Sequence, residues 1–118
     1  MFILIVEPEY GEMEAAHQIL SQKDFVLGFV NSKVDAIKTI TAVSGAARAK
    51  VYDFVIVEYT LPGMTGQEFQ RLLSLVESGP KIIFTCLRAT MQVPMPVLND
   101  CHWLPTPFAD QELLRLLA

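Results

Sequence analysis

Three glutamates follow runs of apolar residues: Glu7 and Glu9 flank Pro8 behind FILIV, and Glu58 follows DFVIV. Thr85 falls near the end of another such run, KIIFTC, and Thr106 lies just past HWL. Carboxylates gathered at one place raise one another's pKa, and a bound cation relieves that repulsion. Glu7, Glu9 and Glu58 are therefore a candidate metal set; the plainer reading is a solvated acidic edge. Cys86 and Cys101 lack metal-ligand spacing. His17 and His102 have no ligand partner nearby in sequence and are expected in ordinary surface or helix-face roles.

These residues need elements to bring them together. Apolar, β-branched runs at residues 2–6, 25–30, 53–57, 81–86 and 102–104 predict five strands. Between them lie helical patterns. Residues 12–20 place Met13, Ala16, His17 and Leu20 at helical spacing. Asn31 or Ser32 can cap a second helix, with Val34, Ile37, Ile40 and Val43 recurring along it. Thr65 opens a third, with Phe69, Leu72, Leu73 and Val76 on one face. Asp110 is expected to cap the last helix, which carries Leu113, Leu114, Leu116 and Leu117. Residues 87–100 are less regular, and Pro94 and Pro96 predict a short or irregular fourth helix there. Strands alternating with helices predict one α/β domain over residues 1–118, a parallel sheet layered between helices. In such a sheet the carboxyl ends of the strands share one edge, which collects Glu7, Pro8, Glu9, Glu58, Thr85 and Thr106.

Composition narrows the function. Hydrophobic residues make up 52% of the 118 and charged residues 19%, enough for a packed core and against disorder. A net charge of −4 gives no basic footprint for nucleic acid. No apolar run reaches the ~18–20 residues of a membrane span, so no membrane insertion is expected. The opening apolar run has no basic leader or cleavage site and is read as a strand rather than a signal peptide. Two cysteines make no disulfide framework, which suits a reducing, cytoplasmic setting.

The arrangement resembles the receiver domain of bacterial response regulators over essentially the whole chain. The residues that carry the resemblance are IVEPE at 5–9, DFVIVEYTLPGMTGQE at 53–68, KIIFTC at 81–86 and WLPTPFADQELL at 103–114. LPGMTG is the most specific piece, beside the Leu-Pro-Gly-Met-Asp-Gly turn common in receivers. The resemblance implies a flavodoxin-like three-layer sandwich with strand order 2-1-3-4-5. It also implies a site that takes a phosphoryl group from a histidine kinase. That site uses an aspartate after the third strand, an acidic pair after the first to hold Mg²⁺, a hydroxyl after the fourth and a lysine after the fifth.

Position by position, this sequence departs from that set. Glu58 stands at the phosphoacceptor, Glu7 and Pro8 at the acidic pair, and Thr106 at the lysine; Thr85 keeps the hydroxyl. Trp103 stands where receivers carry a switch aromatic. Phosphoryl transfer is mostly positioning and charge neutralisation. A misplacement of about 1 Å can cost ~10²-fold in rate, and glutamate is one methylene too long. Pro8 offers no side-chain oxygen to Mg²⁺, which demands near-octahedral ligation, so at most weak Mg²⁺ binding is expected, with no required cofactor. With Thr106 in place of the lysine, nothing obvious screens an added phosphoryl charge from Glu7 and Glu58.

The expected function is thus a phosphorylation-independent pseudo-receiver, not an enzyme. It would act as an interaction or dimerisation module in two-component-type signalling, its partners other signalling proteins or a second copy. The partner surface is expected around Trp103 and the irregular segment with Met91, Met95 and Leu98. Ending in the last helix, the chain leaves no room for an output domain and reads as a single-domain adaptor or the receiver part of a longer protein. Two alternatives differ in class. In one, Glu58 is still phosphorylated by a histidine kinase; in the other, the altered pocket senses a metal or small ligand. A third possibility for Glu58 itself is a fixed mimic of a phosphorylated aspartate.

Overall fold

The apolar runs form a single parallel sheet of β1 (Phe2–Val6), β2 (Val26–Val30), β3 (Phe54–Glu58), β4 (Lys81–Leu87) and β5 (Cys101–Thr106). The strand order is β2-β1-β3-β4-β5, and every pairing is parallel. The computed structural model describes residues 1–7, 14–21, 24–45, 52–76, 79–87 and 101–118. Four helices fall within them: α1 (Glu14–Ser21), α2 (Lys33–Gly45), α3 (Gly66–Ser74) and α4 (Asp110–Leu116). The short or irregular fourth helix expected from Pro94 and Pro96 falls on residues outside this set. No helix among the described residues is long and apolar enough to cross a membrane.

Side chains alternate across a strand, and the two faces of the sheet divide accordingly. Ile3, Ile5, Ile56 and Ile83 pack with Ala16 and Leu20 of α1, Leu113 of α4 and Leu117 just past its end. Leu4, Val6, Val55 and Val57 pack on the other face with Ala36 and Ile40 of α2 and Phe69 and Leu73 of α3. The expected layers and strand order are therefore present.

Three local expectations are corrected. The buried face of α2 is Lys33, Ala36 and Ile40, while Val34 is 44% exposed. The α-helix turns about 100° per residue, so a series in steps of three drifts by about 60° per step and cannot stay on one face. Asp110 is the first helical residue of α4 and Ala109 the N-cap. The capping group there is the Glu112 carboxylate, which accepts the Ala109 N–H at 3.0 Å. β5 is also longer than expected, pairing with β4 from Cys101 to Thr106. Pro105 is tolerated because β5 is an edge strand, where a missing N–H need not break a ladder.

Candidate functional site

Register brings the predicted edge together. Val6 pairs with Val57, so Glu7 and Glu58 follow side by side on neighbouring strands. Glu58 pairs with Thr85, and Thr85 with Leu104, two residues before Thr106. The Tyr59 N–H donates to the Thr85 carbonyl at 2.8 Å, extending the ladder one step past Glu58. Thr85 is buried, 1% exposed. Pro8, Glu9, Met91, Met95 and Leu98 lie outside the described residues.

Glu58, Thr106 and Glu7 each face a polar group of the chain itself. The Thr60 hydroxyl donates to the Glu58 carboxylate, 2.8 Å from one oxygen and 2.6 Å from the other. The Thr106 hydroxyl donates to the Cys86 carbonyl at 3.0 Å, and the peptide bond between Thr106 and Pro107 is cis. The Glu7 carboxylate lies 2.9 Å from His17 Nε2 on α1, although the two atoms are not aligned for a hydrogen bond. His17 also packs its ring on Phe29, centroids 4.5 Å apart. His17 is thus on a helix face, as expected, with Glu7 of another segment as a neighbour that the sequence spacing does not show. Asp53 sits at the other end of β3, where its carboxylate accepts the Phe2 N–H at 2.8 Å. Among the described residues no group of three His, Cys, Asp or Glu is placed to hold a metal.

The loop from β3 to α3 holds what the sequence reading missed. Lys33, the first residue of α2, is 1% exposed. Its ammonium donates to the carbonyls of Tyr59 and Leu61, each at 2.9 Å, and of Met64 at 2.8 Å. Lys33 thus adds a positive charge that Glu58 feels, one the sequence reading did not identify, with its donors turned to the loop carbonyls. Burial pushes the Lys33 ammonium below the usual lysine range, partly opposed by the negative charge of Glu58. One signal was available: a cation in the first turn of a helix faces an unfavourable macrodipole, so it needs compensation elsewhere.

The rest of the loop follows from LPGMTG. Gly63 has φ +108°, a left-handed conformation that favours glycine. Thr65 caps α3, its hydroxyl accepting the Glu68 N–H at 3.1 Å. Gly66 packs so closely against the Tyr59 ring that a Cβ there would overlap it. That ring meets Phe84 edge-on at 5.1 Å and Trp103 at 4.9 Å, with Phe84 and Trp103 themselves 5.4 Å apart. Trp103 is thus half-buried in an aromatic cluster with the loop. A cleft between α3 and the amino ends of β4 and β5, lined by Gln70, Leu73, Lys81 and His102, lies at the far end of the strands from this site.

No family model matches the chain, and no curated protein matches it. Solved structures do. A response regulator receiver protein from Sinorhizobium medicae superposes with a TM-score of 0.75 at 17% identity, covering 97% of this chain and 88% of that one. The signal receiver domain of a putative repressor from Vibrio parahaemolyticus gives 0.76 at 18% identity, covering 98% and 85%. The receiver domain of a sensor histidine kinase from Pseudomonas aeruginosa, solved with a magnesium ion in its active-site cleft, gives 0.73 at 23% identity, covering 98% and 93%. These likenesses, with the strand order β2-β1-β3-β4-β5, establish that the chain has the fold of response-regulator receiver domains.

Proposed function

We propose that this domain is a phosphorylation-independent receiver-like module. It carries out no reaction of its own and acts by binding another signalling protein or a second copy through the β5 side around Trp103. The observation that carries the reading is the state of Glu58. Its position matches the receiver phosphoacceptor, but the side chain is a glutamate whose two oxygens share the Thr60 hydroxyl. Thr106 supplies no charge where a receiver has lysine, and Lys33 spends its three N–H donors on loop carbonyls. A transferring phosphoryl group needs its developing charge neutralised, and these groups are committed elsewhere. The setting is consistent with two-component signalling, where a similar structure is that of a histidine kinase in complex with a response regulator.

The test is incubation with Mg²⁺ and acetyl phosphate followed by intact mass. The expected outcome is an unchanged mass. Stoichiometric gain of one phosphoryl group, lost in Glu58→Gln, would overturn the reading in favour of an atypical phosphoacceptor.

A further inference from the structure

We propose that Lys33 is a built-in cation that clamps the β3–α3 loop, holding it in one shape with neither metal nor phosphoryl group bound. The proposal deepens the phosphorylation-independent reading, on which its signalling meaning rests, but its geometry stands on its own.

Three carbonyls from the short loop, those of Tyr59, Leu61 and Met64, converge on one Nζ at 2.8–2.9 Å. An ammonium has three donors, and all three are used. The side chain is 1% exposed, and a buried charge is tolerated only when it is fully hydrogen-bonded. The dependence is mutual. If the loop opens, the ammonium loses its acceptors; if the ammonium leaves, three inward carbonyls lose their donor. Intermediate arrangements leave one side or the other unsatisfied, so the closed loop is strongly favoured. The Lys33 backbone is also fixed: Ser32 caps α2, its hydroxyl accepting the Asp35 N–H at 3.0 Å, and Ala36 and Ile40 anchor the same helical face in the core. The grip reaches the β5 side as well, because Tyr59 gives its carbonyl to Lys33 and its ring to Trp103.

Hydrogen–deuterium exchange of the full chain, without phosphodonor, tests the clamp. Lys33→Met is expected to raise exchange across residues 58–66 by about tenfold or more through local opening, leaving β1 and α4 unchanged. In Lys33→Ala, ethylammonium chloride is expected to restore protection, whereas tetramethylammonium chloride, which has no N–H, is not. In the wild-type chain, Mg²⁺ is expected to leave exchange of residues 58–66 unchanged. Wild-type exchange in Lys33→Met, equal action of the two ammonium salts, or Mg²⁺-dependent protection of the wild-type loop would each overturn the clamp. Should both variants fail to fold, the wild-type Mg²⁺ comparison decides. A phosphoryl group found on Glu58 would overturn the proposed function and leave the clamp standing; unchanged exchange in Lys33→Met would do the reverse.

Discussion

At the scale of single residues, Lys33 makes stability depend on pH in a direction that can be worked out. Its folded-state pKa is lowered by burial, against the opposing charge of Glu58. Between that lowered value and the ordinary lysine value, the unfolded chain binds more protons at this site than the folded one. Stability therefore rises with pH across that window. Below it, both states are protonated and the cost of burying the charge is constant. The difference in unfolding free energy between wild type and Lys33→Met, measured by denaturation at a series of alkaline pH values, should increase with pH. In a Glu58→Gln background the opposing charge is gone, so the rise should begin at lower pH. A difference that falls with pH would contradict the assignment. Glu7, Glu58, Thr85 and Thr106 were legible in the sequence because strand ends in a parallel sheet must share an edge. Lys33 was not, because a lysine at a helix start is ordinarily a solvated residue and its three acceptors are backbone atoms that no side-chain pattern announces. His17 was hidden for a related reason: its neighbour Glu7 belongs to a different element.

At the scale of elements, the junction of β3 with α3 is set by the fit between Tyr59 and Gly66. A Cβ at position 66 overlaps the Tyr59 ring, and that ring is held by Phe84 and Trp103. Gly66→Ala should therefore destabilise the chain by about 1–3 kcal/mol, the usual cost of overpacking, and shift Trp103 emission. In a Tyr59→Ala background the same substitution should be close to neutral, because the overlap is gone. Equal costs in the two backgrounds, measured by urea denaturation, would show that the sites are uncoupled. The elements themselves were largely legible, and the misses have local causes. Pro105 looked like the end of a strand, but an edge strand accommodates it. Asp110 looked like a cap, but Glu112 reaches back to Ala109 from the first turn of α4. Along α2, apolar residues in steps of three suggested one face, whereas the helix buries Lys33, Ala36 and Ile40.

At the scale of the whole molecule, the sheet separates two cores, and Phe84 of β4, the strand between β3 and the edge strand β5, is fully buried in one of them. Phe84 also touches Tyr59, Phe69 and Trp103, so it joins the core beneath α3 to the aromatic cluster at the loop. Phe84→Ala should cost about 3–5 kcal/mol and change Trp103 fluorescence within the folded state. A smaller cost with unchanged emission would show that the cluster does not depend on it. The global topology was the most legible feature, since alternating apolar runs and helical patterns leave few ways to bury both faces of a parallel sheet. A dissociable ion at a loop has a binding curve, and the fraction of loops it holds reports its concentration. An ammonium carried on the same chain has no such curve, because its local concentration is fixed by covalent attachment. Under the proposed clamp, the shape of the β3–α3 loop should not follow metal supply, and what it would report is mechanical: whether a partner bound at Trp103 pulls Tyr59 from its place.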